Sequence, residues 1–251
     1  MMQVTETVKQ LIIINIIFFV GTIFLGGPAI EYLALHFPAG PDFKVWQPLT
    51  YMFMHGGIMH ILFNMLALAM FGSLLEYMWG TKKFLFFYFS CGVGAAAFHL
   101  GIDYILYQDV MGTLTQAGFN KADIIALASQ DKYNPEWMEY ITERQYFNFL
   151  HALNGTMLGA SGVMYGVMVA FACLFPNNDI RLLFIPIPIK AKYFLPGMLC
   201  LDLYLGLKGQ SFFGGRWSDG VAHFAHLGGA LIGFIMMWNW SKGNFNHNRW
   251  N

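Results

Sequence analysis

Six stretches of this chain are apolar for about the length of a membrane-crossing helix, and that pattern limits the fold more than any other feature. A hydrocarbon core about 30 Å thick is crossed by roughly 20 helical residues. Runs of that order lie at 10–35, 56–78, 83–107, 157–175, 192–208 and 221–240. Only 14 basic and 14 acidic side chains accompany 251 residues that are 57% hydrophobic, too little charge to clothe a soluble globule. The expected class is an all-α membrane protein, a six-transmembrane-helix bundle forming one domain over residues 1–251. The fifth run is short and follows the proline-interrupted "FIPIPIK" (184–190), so a five-span count is the alternative.

The formal net charge is zero, and no basic block or basic-aromatic patch points to nucleic acid. Cys91, Cys173 and Cys200 fall inside apolar runs and form no CxxC pair, so they read as small core residues rather than a disulfide framework or a metal site. The run from Leu11 lacks a strong basic flank and reads as a retained helix, not a signal peptide. With both termini inside, the inner segments hold Lys9, Lys82, Lys83, Arg181, Lys190, Lys192, Lys242 and Arg249. The outer ones hold Lys44, Lys121, Lys132, Arg144, Lys208 and Arg216, three of them in one long connection that counts for little, which favours this orientation.

That connection, residues 108–156 between the third and fourth runs, is expected on the outer side and is the region of most mixed polarity. It contains two candidate amphipathic helices, "KADIIALASQ" and "NPEWMEYITERQYFNFL", the second opened by Asn134-Pro135. Trp137, Tyr140, Tyr146, Phe147 and Phe149 suit either the membrane interface or a small cap packed on the bundle. The segment 208–220, "KGQSFFGGRWSDG", reads equally as a mobile lid or as an interfacial aromatic belt.

Polar groups at membrane depth need a partner or a function. Ser161 lies near the start of the fourth run, His226 near the start of the sixth, and His60 with Asn64 near the start of the second. Even-numbered spans run in the same direction, so three separate segments bring polar groups to one layer below the outer face. Gly155, Gly159, Gly162 and Gly166 repeat at helical spacing, and Gly229 and Gly233 form a GxxxG pair on the face of His226. Small faces let helix backbones approach closely, as a serine needs to reach an imidazole on a neighbouring helix. The glycine spacing favours His226 over His223 as the base, with His223 expected to lie shallower and wetter. Each group alone has a plain structural reading: His60 and Asn64, at i and i+4, could simply bridge two helices. As a set they point to acyl transfer, with a nucleophile, a base and side-chain donors for an oxyanion. Asp202, in the fifth run, is left without a role and reads as a partner for water or for a histidine such as His99.

The ordered motifs "MHGGIMHILFN" (54–64), "GASG" (159–162) and "AHLGGALIG" (225–233) resemble the rhomboid family of intramembrane serine proteases over roughly residues 45–240. The resemblance implies Ser161 as nucleophile, His226 as general base and no third carboxylate. It implies His60, Asn64 and the Ser161 backbone N–H as oxyanion donors, Tyr165 as the ring that orients the imidazole, and Glu76 in a structural role. It implies transmembrane protein substrates in membrane lipid, and no cofactor or metal. One departure is Trp46-Gln47, where the family often has Trp-Arg; the long 108–156 connection is another. Water must reach the scissile bond, so the site is expected to open to the outer aqueous side, in a prokaryotic inner membrane. Two competing readings are a catalytically silent rhomboid-like protein that binds membrane helices, and a transporter or metal-handling protein built on His55, His60, His223 and His226. No HExxH pattern or carboxylate-histidine grouping is visible for the latter.

Overall fold

The computed structural model describes residues 3–182, 185–208 and 220–244. Helix α1 (Glu6–Leu25) ends where Gly26 turns into the left-handed region, at φ +61°, and Pro28 opens the short α2 (Gly27–Leu33). The expected first span of 10–35 is therefore two helices, because Gly-Gly-Pro cannot continue the first. A two-residue strand β1 (Leu35–His36) and the single turn α3 (Gln47–Thr50) lead through a 3-10 turn to α4 (Ile58–Ala67). The second span runs on from α4 through a π-turn, Leu68–Gly72, into α5 (Ser73–Trp79).

Gly80, at φ +76°, reverses the chain into α6 (Thr81–Gln116), which has 36 residues. At 1.5 Å per residue it is about 54 Å long, well beyond a hydrocarbon core of about 30 Å. Its C-terminal turns carry a cap made of α7 (Lys121–Ala128), a 3-10 turn (Pro135–Glu139) and α8 (Glu143–Asn154). The candidate helix over 134–150 is split because Asn134 caps the 3-10 turn, while Thr142 and Gln145 form a capping box that restarts the chain as α8. Of the five aromatic residues weighed for the interface, Trp137, Tyr146 and Phe149 are buried in a core with Tyr107, Met111 and Leu114 of α6, whereas Tyr140 and Phe147 stay about half exposed. The connection is thus a cap with its own core, and it begins at the end of α6 rather than at residue 108.

The strand β2 (Thr156–Met157) pairs antiparallel with β1, Leu35 opposite Met157 and His36 opposite Thr156, and delivers the chain to α9 (Ser161–Leu174). From Gly162 to Phe171 every residue of α9 is buried, as expected of a helix surrounded by the rest of the bundle. The segment before the fifth span is a hairpin, β3 (Asp179–Leu182) with β4 (Ile185–Lys190). A two-stranded hairpin has free edges that tolerate the missing N–H groups of Pro186 and Pro188. Helix α10 (Ala191–Lys208) and helix α11 (Gly220–Asn244) complete the bundle. Among the described residues, three spans, Glu6–Leu25, Ile58–Trp79 and Thr81–Gln116, are long and apolar enough to cross a membrane by length and composition, and Ser161–Leu174 is a shorter apolar helix. The molecule is a mostly helical membrane bundle of the all-α class, to which, among the described residues, two small two-stranded sheets are added. Cys91 is a core residue, but Cys173 and Cys200 are exposed on the outside of the bundle, so the expectation of three core thiols is corrected for those two. Residues 209–219, the greater part of the suggested lid, lie outside the described residues.

Two polar nodes brace the frame. Glu76 accepts from the Thr5 hydroxyl, from Val8 N–H at 3.1 Å and from the Thr81 hydroxyl at 2.9 Å, tying the start of α1 to α5 and α6. Gln47 stands where the arginine was missed, and it is fully buried. Its Oε1 accepts from the N–H groups of His36 and Lys44, and its Nε2 donates to the carbonyls of Glu31 and Asp42. A neutral amide therefore satisfies four backbone groups of the first loop without burying a charge.

Candidate active site

Three helix starts and one helix interior supply the site. Ser161 opens α9, two residues after Gly159, whose φ of +128° lies in a region that favours glycine. The segment is held from behind by Gly159 N–H donating to the Tyr51 carbonyl at 2.9 Å, while the Tyr51 hydroxyl donates to Gly92 C=O at 2.7 Å. The first helical hydrogen bond of α9 runs from Met164 N–H to Ala160 C=O, so the N–H groups of Ser161, Gly162 and Val163 precede the helical ladder.

Helix α11 lies against α9 through its glycines. A Cβ on Gly229 would strike the Gly162 carbonyl oxygen, and one on Gly233 would lie 2.8 Å from Gly166 Cα. This backbone contact brings His226 Nε2 to 2.8 Å from Ser161 Oγ, across 65 residues of sequence. Tyr165, one turn into α9, stacks on the same imidazole with centroids 4.4 Å apart and planes 5° from parallel.

His60 leans over Gly159 from α4: a Cβ there would meet its Cε1 and Nε2 at 2.7 Å, and the same point lies 3.7 Å from Ser161 Oγ. Gly56 N–H faces His60 Nδ1 at 3.4 Å. An Nδ1 that accepts leaves the proton of a neutral ring on Nε2, one of the two ring atoms that crowd Gly159. The buried Asn64 donates one N–H to the His60 carbonyl at 3.0 Å, one turn back on its own helix. His55, in the loop before α4, stands edge-on to His60 with centroids 5.0 Å apart. Burial, reinforced by the neighbouring His60, lowers its pKa to about 4, so it is neutral near pH 7.

Two expectations are corrected here. His223 is buried rather than wet, and its Nδ1 is hydrogen-bonded to Asp202 Oδ1. Asp202 does not pair with His99, which instead meets Asp103 at 3.3 Å on its own helix. Asp202 Oδ1 also faces His226 Nδ1 at 3.2 Å, which brings a carboxylate to the far side of the imidazole from Ser161. The signal for it was a lone aspartate at membrane depth, but choosing its partner among eight histidines requires the relative rotation of α10 and α11. Asp202, His223 and His226 offer ligand atoms within 4.8 Å of one another and form a group that could hold a divalent cation, a carboxylate-histidine grouping that is not visible along the sequence.

A family model for the Rhomboid domain matches residues 42–122 and 137–243. The chain belongs to the rhomboid family. It is 29% identical over 206 residues to an uncharacterized mitochondrial rhomboid protein of Schizosaccharomyces pombe, covering 76% of this chain and 49% of that one. It is 26% identical over 191 residues to the mitochondrial rhomboid protein 1 of Saccharomyces cerevisiae, covering 76% and 40%. A shorter match, 38% over 56 residues, covers 22% of this chain and 21% of the rhomboid-like protease 3 of Toxoplasma gondii. This rhomboid thus spans about half or less of the length of these relatives. All three are eukaryotic and two are named as mitochondrial, so the expectation of a prokaryotic inner membrane finds no support among them.

Proposed function

We propose that this rhomboid is an intramembrane serine endopeptidase that cuts transmembrane protein substrates by a Ser161–His226 mechanism. The observation that carries the reading is the 2.8 Å contact between Ser161 Oγ and His226 Nε2, held by two glycine-packed helices. Ser161 Oγ attacks the scissile carbonyl carbon while its proton passes to His226 Nε2. The tetrahedral oxyanion takes hydrogen bonds from the Ser161 N–H and from His60 Nε2–H. As the C–N bond breaks, His226 returns the proton to the leaving amine nitrogen. Water, activated by the same imidazole, then releases the acyl group from Ser161. Asn64 supports this through His60, whose carbonyl it holds. The same reading has the site open to the aqueous face away from both termini, and membrane lipid as the surroundings through which substrates arrive.

The test is labelling of detergent-solubilised protein with a fluorophosphonate. Wild type is expected to label and Ser161→Ala to remain unlabelled; equal labelling of the two removes the hydrolase reading and leaves a helix-binding rhomboid. For the oxyanion, His60→Ala is expected to lower kcat about 10²–10³-fold with little change in KM. Full turnover per folded molecule in that variant would reduce His60 to a structural bridge.

A further inference from the structure

We propose that Asp202 is a positioning residue for the general base, with His223 holding it in place, so that the pair at the serine belongs to a four-residue chain. The proposal rests on the protease reading above and departs from the two-residue set that the family resemblance implies. An ionised carboxylate only accepts hydrogen bonds, so each imidazole nitrogen that faces Asp202 Oδ1 carries a proton. A neutral His226 with its proton on Nδ1 keeps the Nε2 lone pair free, and that lone pair faces Ser161 Oγ at 2.8 Å. The opposite tautomer would present an N–H to the serine and could not act as a base.

Tyr165 cannot make this choice. Stacking at 5° fixes the plane of the imidazole but not which edge of the ring meets the serine. The hydrogen bond from Nδ1 to Asp202 fixes the edge. It also faces the charge that develops: when the serine proton reaches Nε2, the imidazolium forms beside a carboxylate 3.2 Å from Nδ1, in surroundings that screen little.

His223 explains how such a carboxylate is kept at depth. It lies one turn before His226 on α11, its ring nearly perpendicular to that of His226 at 85°, and its Nδ1 donates to the same oxygen. Asp202 and His223 are 5% and 7% exposed, so where water is scarce the Oδ1 of the carboxylate depends on these two imidazoles, with the Tyr165 hydroxyl also beside the group. A divalent cation on the three ligand atoms would have the opposite effect, taking the Nδ1 lone pair of His226 and leaving the proton on Nε2.

The proposal is tested on the full chain in detergent by ¹⁵N-imidazole spectra, turnover and melting. In wild type His226 is expected as the Nδ1–H tautomer. Asp202→Asn is expected to move it to Nε2–H, to lower kcat about 10²–10⁴-fold with KM changed less than about threefold, and to slow but not abolish fluorophosphonate labelling of Ser161. Wild-type turnover in Asp202→Asn, or an Nε2–H tautomer in the wild type, overturns it, as does activity that a chelator removes and zinc restores. The wild-type spectrum decides even if the variant does not fold. Absence of labelling in the wild type would instead count against the protease reading, since the tautomer is read without catalysis.

Discussion

Replacing His226 by alanine is expected to abolish both cleavage of a model membrane-helix substrate and fluorophosphonate labelling of Ser161, a loss of about 10⁴–10⁶ in kcat. Among the histidines of the described residues, His226 has Nε2 at 2.8 Å from the serine oxygen, and without it the hydroxyl proton has no acceptor in line with attack. His223→Ala is expected to behave differently. It keeps the contact between Nε2 and Oγ and removes the His223 donor to Asp202, so turnover falls but stays measurable. Melting curves of both variants guard against a folding artefact. If His223→Ala were silent while His226→Ala still cleaved, the roles of the two rings would be reversed.

Gly229→Val is expected to inactivate the protein through a change that touches neither reacting group. Any Cβ at this position would meet the Gly162 carbonyl oxygen, which is backbone and cannot swing aside. Helix α11 must then move off α9, and His226 moves with it. Displacing a catalytic group by about 1 Å can cost about 10²-fold in rate, and overpacking a tight contact costs about 1–3 kcal/mol in stability. Both a fall in kcat and a lower melting temperature are expected. Gly101→Ala is the control, because a Cβ on Gly101 meets nothing within 4 Å. Wild-type kcat in Gly229→Val would show that the close approach of the two helices is not what sets the serine against its histidine.

The parts of the site that could be read along the chain are those written in local spacing. Gly162, Gly166, Gly229 and Gly233 recur at helical intervals, and such stripes announce a close contact before the partner helix is known. The placement of Ser161, His60 and His226 near the starts of alternate spans puts them in one layer by counting alone. The apolar runs were equally plain, because a membrane imposes a length on every helix that crosses it. What escaped was of another kind. That α6 runs on to Gln116 and carries the cap was hidden, because the outer turns of a long helix and a buried cap core are both mixed in polarity. Whether Trp137 faces lipid or Tyr146 depends on contacts that a pattern of aromatic residues does not contain.

The carboxylate makes the distinction sharpest. Spacing along one helix is enough to say that His226 and His223 lie a turn apart, and that Asp202 stands alone in an apolar run. Whether Asp202 meets His99, water or the far edge of His226 depends on how α10 is rotated and how deep it sits against α11. Those two quantities come from the packing of the whole bundle, and no period within a single segment encodes them. Gln47 teaches the same lesson in the first loop: a buried amide looks like a lost arginine until the four backbone groups around it are in view. The class, the apolar runs and the layer shared by Ser161 and His226 follow from regularities within segments, whereas the contact of Asp202 with the far edge of His226 follows from how three segments are turned toward one another.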